Sequence, residues 1–138
     1  MAWDKYTKEV PLKPNVQPFL QKCKEAGILL GIATSNSREL VENIISVHGL
    51  EHYFSSIKTG CDVKRGKPAP DIYLKACKEL GEVPENCIAV EDSKNGILSA
   101  HNANMSVIMI PDLWQGETEI DKLLFAKLKS LGEIKSVL

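Results

Sequence analysis

The chain lacks any block of lysine or arginine. Its 17 basic and 18 acidic residues give a net charge of −1 with the signs interspersed, so nothing in it could track a nucleic-acid backbone, which demands clustered cations. It also lacks a Cys-x-x-Cys pair. Cys23, Cys61, Cys77 and Cys87 are widely spaced, which argues against a zinc site and a disulfide framework and for reduced thiols. Long apolar runs are missing too. The opening Met1-Ala2-Trp3-Asp4-Lys5-Tyr6 carries no signal-peptide core, and no later stretch reaches the roughly 20 residues that cross a bilayer. The expectation is a soluble, cytoplasmic protein with neither nucleic acid nor membrane as partner. Neither G-x-G-x-x-G nor G-x-x-x-x-G-K-[ST] occurs, so dinucleotide and P-loop chemistry lack their phosphate cradles. No serine or cysteine has a persuasive base, because His48, His52 and His101 fall in or beside helical segments and are expected at surfaces.

What is present is the balance of one globular domain: 138 residues, 43% hydrophobic and 25% charged, enough to bury roughly two-thirds of the unfolded surface without a staple. Val16, Phe19, Leu20 and Cys23 recur at helical spacing and Gly27 follows as a C-terminal stop. Ile28 to Ala33 is a continuous apolar run, the pattern of a parallel strand covered on both faces. Asn36 with Glu39 suits a capping box for a helix carrying Leu40, Val41, Ile44 and Ile45. The alternation continues with a strand at 56–59, a helix at 71–80 stopped by Gly81, a strand at 87–90, a helix at 94–103 and a strand at 105–110 ended by Pro111. Ile120, Leu123, Leu124, Leu128 and Leu131 predict a final amphipathic helix. Strands alternating with helices give an α/β, three-layer, Rossmann-like parallel sheet, whose ligands bind at the carboxyl ends of the strands.

Three polar groups fall at that edge. Thr34-Ser35-Asn36 follows the first strand at a helix N-terminus, where free N–H groups and the dipole favour an anion. Taken alone, Thr34 and Asn36 read more simply as helix caps. Gly66-Lys67-Pro68-Ala69-Pro70-Asp71 follows the second strand, and its prolines stiffen the backbone around the Lys67 ammonium, which a plain surface lysine would not need. Glu91-Asp92 ends the strand before Ser93 and Asn95-Gly96. Paired hard oxygens there suit Mg²⁺, which bridges carboxylate to phosphate, although Asp92 or Ser93 could simply cap the next helix. A hydroxyl, an amine and two carboxylates at one sheet edge are what phosphoryl transfer requires, because phosphate oxygens repel an anionic nucleophile until cations offset their charge.

At these residues the chain resembles the haloacid dehalogenase superfamily, and within it the β-phosphoglucomutase-like phosphatases and phosphomutases, from about Pro11 to the C-terminus. The resemblance implies that Thr34 binds the transferring phosphoryl group with the help of Ser35 and Asn36. It implies that Lys67 neutralises nucleophile and phosphate, and that Glu91 and Asp92 hold Mg²⁺, Asp92 being the surer ligand. The implied partner is a small phosphorylated metabolite, the implied chemistry hydrolysis or mutation through an aspartyl phosphate.

That family's first motif is an apolar strand ending in Asp-x-Asp, and nothing here matches it. Asp4 has only three residues before it and Tyr6 two positions on, so the resemblance supplies no nucleophile in this chain, which is expected to be inactive alone. The selecting helical cap is also missing. Residues 1–10 resemble the return from cap to core and 11–138 a partial core. The family's order places the absent strand centrally, between the Ile28 and Cys87 strands, which must then close up, pair with a second copy, or accept another polypeptide. From a different class comes a non-catalytic phosphate- or metal-binding module that keeps the anion site. A receiver-type signalling domain fits less well, since its acids precede its lysine whereas here Thr34 and Lys67 precede Glu91 and Asp92.

Overall fold

The computed structural model describes residues 16–136. Asp4 and the 1–10 segment lie outside the described residues. Helix α1 (Val16–Glu25) buries Leu20 and Cys23 and ends before Gly27, whose φ of 74° is the left-handed conformation that terminates a helix without a side-chain clash. Strand β1 (Gly31–Ala33) leads to α2 (Arg38–Val47), and β2 (Ser56–Lys58) leads to α3 (Asp71–Leu80). Then come β3 (Ile88–Glu91), α4 (Lys94–Asn102) and β4 (Ser106–Met109), followed by a short α5 (Thr118–Asp121) and β5 (Ala126–Lys127). All pairings are parallel: β1 with β2 in the register Gly31↔Ser56, β3 with β4 as Ile88↔Ser106, and β4 with β5 as Ile108↔Ala126. The α/β, parallel, helix-flanked class is therefore as the alternation predicts.

Among the described residues the strands form two sheets, β1-β2 and β3-β4-β5, and β1 and β3 do not pair with each other. Helix α3 links the two. It packs on β1 and β2 and against α4, and its buried Ile72 and Tyr73 share one core with Ala89, Ile97, Val107 and Met109, against which Ala33 also packs. A second cluster, Leu20, Val41, Ile45 and Leu50, fills the side of β1 toward α1 and α2. Among the described residues, β3 is covered on one face only. Ala89 is buried, while Ile88 and Val90 are 41% and 39% exposed. Ile28 and Leu29, expected to open the first strand, are likewise exposed and precede it.

Two local expectations are corrected. The cap of α2 is Ser37, whose Oγ accepts the Leu40 N–H at 3.2 Å. Asn36 instead donates its backbone N–H to Thr34 Oγ1 at 3.1 Å. The final amphipathic helix does not form either. After the single turn of α5 the chain extends, because the open edge of β4 offers carbonyls: Phe125 N–H donates to Val107 O and Leu128 N–H to Met109 O, both at 2.8 Å. Satisfying a buried sheet edge outweighs helix periodicity that spans only three turns. Ile120 still buries itself, with Leu123 and Leu124 packed on the main core.

Candidate functional site

A cleft of about 730 Å³ opens at the carboxyl ends of β1 and β3, and all six residues singled out in the sequence line it: Thr34, Ser35, Asn36, Lys67, Glu91 and Asp92. Thr34 is fixed by its backbone N–H, which donates to Lys58 O at 3.0 Å and extends the β1–β2 ladder by one residue. Because its hydroxyl oxygen accepts from Asn36, its proton is available to donate. Below this turn, Arg38 donates to Ile57 O and Asp62 Oδ2 at 2.8 and 2.7 Å. Asp62 also accepts from the Thr59 N–H at 2.7 Å and from its hydroxyl. The Thr59 N–H and the Arg38 guanidinium hold the Asp62 carboxyl down at about 2.

Lys67 reaches both sheets. Its ammonium donates to Ala33 O at 3.1 Å, at the end of β1, and to Glu91 Oε1 at 2.6 Å, at the end of β3. The loop that carries it is held from α4, where Ser99 Oγ donates to Ala69 O at 2.6 Å and Asn102 Nδ2 to Pro68 O at 3.4 Å. The ion pair is sheltered, with the Lys67 and Glu91 side chains 10% and 7% exposed. At such burial, water screens the attraction little.

The two adjacent carboxylates separate. Glu91 turns inward, where Tyr73 OH, on α3, donates to its Oε1, and the backbone of Gly96 lies so close to the carboxylate that a Cβ there would overlap it. Burial, and then the Glu91 charge, push the Tyr73 phenol above its ordinary range. Asp92 is exposed at the cleft mouth. Ser93 caps α4 by accepting the Gly96 N–H at 3.1 Å, so the alternative that Asp92 is the cap falls away. Lys94 and Asn95 also line the cleft, and Lys94 pairs with Glu117 at 3.3 Å. Sequence reading missed Lys94, Asn95 and Tyr73. Tyr73 sits on the apolar stripe of α3 with Ile72, Ala76 and Cys77, where a tyrosine reads as core.

This is an α/β protein whose parallel strands gather a hydroxyl, an ammonium and carboxylates into one cleft at their carboxyl ends. The haloacid dehalogenase-like hydrolase family matches residues 2–110, and the chain belongs to it. It is 32% identical to hexitol phosphatase B of Escherichia coli (strain K12) over 124 residues, 90% of this chain and 56% of that protein. To protein CbbY of Cereibacter sphaeroides it is 36% identical over 132 residues, 90% of this chain and 57% of that protein. A crystal structure of CbbY from Rhodobacter sphaeroides in complex with phosphate superposes with a TM-score of 0.85 at 32% identity, covering 95% of this chain and 60% of that one. The chain thus spans less than two-thirds of the length of these relatives.

Proposed function

We propose that this chain carries the phosphate-holding part of a phosphoryl-transfer site for a small phosphorylated metabolite, a sugar phosphate by its kinship to hexitol phosphatase B. The observation that carries this is the placement of Lys67, an ammonium anchored to the ends of β1 and β3 and bordering the same cleft as Thr34, Ser35 and Asn36. The Thr34 hydroxyl and the amides after it would donate to phosphate oxygens, and the Lys67 charge would offset theirs. Two or three charge-assisted hydrogen bonds at about 1.5 kcal/mol each give affinity on the order of millimolar.

Among the described residues no three His, Cys, Asp or Glu side chains cluster as a complete metal cage. The exposed Asp92 carboxylate is nonetheless a hard oxygen donor of the kind that suits Mg²⁺, an ion that keeps several waters and takes few protein ligands. Asp92 would hold it, Glu91 at most through water, and the ion would supply charge neutralisation beside the phosphate.

Residues 11–138 form, in this reading, one partial core, with 1–10 leading into it. Strands β1 and β3 each have one paired edge among the described residues. An extended apolar segment between them, from a longer polypeptide or a second copy, would complete the sheet and cover Ile88 and Val90. A segment ending in Asp-x-Asp would bring the nucleophile, forming an aspartyl phosphate.

Titrating inorganic phosphate with Mg²⁺ into the chain, followed by ³¹P NMR, tests the site. Binding near millimolar that is lost in Lys67→Ala and Thr34→Val supports it; no binding, or binding indifferent to both, overturns it. Binding without phosphomonoester turnover, even after adding an Asp-x-Asp strand peptide, would favour a non-catalytic anion-binding module. Turnover abolished by Asp4→Asn would overturn the placement of the nucleophile outside this chain.

A further inference from the structure

We infer that Tyr73 is a positioning residue of this site: its phenol hydroxyl holds the Glu91 carboxylate inward, where Glu91 anchors Lys67 and leaves Asp92 as the carboxylate that faces the cleft. The inference depends on the phosphate-handling reading of the cleft for its purpose, and on contacts within the chain for its geometry.

Helix α3 presents Ile72, Tyr73, Ala76 and Cys77 to the core, and a phenylalanine would fill the Tyr73 position as well by area. What the hydroxyl adds is one donor in an apolar setting, and a buried phenol needs a partner. It finds Glu91 Oε1, the same oxygen that accepts the Lys67 ammonium. The ring contributes a second time, since Lys67 Nζ stands 5.1 Å from its centroid, within reach of the negative face. Tyr73 therefore touches both members of the ion pair, from the first turn of the helix into which the Lys67 loop runs and across from the end of β3.

This leaves little of Glu91 for direct metal ligation. Oε1 serves two donors, and Oε2 lies against the Gly96 backbone. Asp92, the first residue past β3, is exposed where Glu91 is buried. The adjacent acids, which the sequence presents as one pair, are thus divided: one fixes the lysine and the other stands exposed at the cleft.

Site-resolved acylation of lysine amines, read by mass spectrometry on the full chain, measures how firmly Lys67 is held against the exposed Lys22 and Lys24 as internal standards. Tyr73→Phe keeps the ring and removes the hydroxyl. The expected result is a rise of about tenfold in the Lys67 rate alone, the size of one hydrogen bond to a charged group. Glu91→Gln should raise it as much or more, and adding Tyr73→Phe to Glu91→Gln should raise it no further, because the two act through one contact. An unchanged Lys67 rate in Tyr73→Phe, additive effects, or a uniform rise across all lysines would overturn the inference. Should Tyr73→Phe fail to fold, the Tyr73 hydroxyl proton of the unmodified chain decides: an NMR signal slow to exchange, and lost in Glu91→Gln, supports the contact, and a fast-exchanging hydroxyl refutes it. Protection of Lys67 by inorganic phosphate tests the site reading separately. No protection with a rate still freed by Tyr73→Phe sinks the function and keeps the positioning; protection with an unmoved rate does the reverse.

Discussion

The carboxylate of Glu91 occupies the space that a side chain on Gly96 would need. Glycine at the third residue of a helix ordinarily costs about 1 kcal/mol against alanine, yet here alanine would push Glu91 away from Lys67 and Tyr73. Gly96→Ala is expected to destabilise the chain by about 1–3 kcal/mol, the range of overpacking, in spite of its better helix propensity. Urea unfolding checks the sign, and a gain in stability would contradict the close approach.

Lys67→Met leaves Glu91 buried with Tyr73 as its remaining side-chain donor. Breaking a sheltered pair in this way costs about 3–5 kcal/mol, because the orphaned charge keeps its desolvation penalty. Lys67→Met combined with Glu91→Gln should recover part of that loss. Equal destabilisation by the single and double changes would show that the charge itself is not what matters.

Asp62 gives the stability of the chain an acid limb. Its carboxyl titrates at about 2 in the folded chain, below its ordinary 3.8, so the folded state favours the ionised form. That contribution is complete above the unfolded value and is lost as pH falls from about 4 toward 2. Denaturation midpoints followed over this interval should fall less steeply in Asp62→Asn, which is already less stable at neutral pH. Parallel curves would contradict the assignment.

Ile88 and Val90 lie exposed on a strand with an unpaired edge among the described residues, an arrangement that favours association. Sedimentation should show concentration-dependent self-association that Val90→Lys reduces, while Val107→Lys, at a buried position of the neighbouring strand, unfolds the chain. A compact monomer at every concentration would rule out a second copy as the occupant of that edge.

The local parts of this protein were legible in its sequence because they depend on neighbours close in the chain. The Gly81 stop of α3, the apolar runs of β3 and β4, and the polar residues that follow each strand can all be read within windows of ten residues. The final segment could not be read in that way. Its leucines keep helical spacing, but the free carbonyls of β4, which come from a segment about twenty residues earlier, draw it into a strand. The cap of α2 lies one residue later than the sequence suggests, at Ser37, whose Oγ accepts the Leu40 N–H.

By itself the sequence determined the α/β alternation and the six polar residues that line the cleft, since strand ends place their following residues at one edge whatever the packing. Only the tertiary structure decided how those residues divide the work. Lys67 and Glu91 are 24 residues apart and Tyr73 and Glu91 are 18 apart, and their meeting depends on how α3 and α4 pack across two sheets. No local pattern encodes that a core tyrosine meets a carboxylate, because the contact exists only once α3 is packed on β1 and β2 and against α4, and burial makes an unpartnered phenol costly.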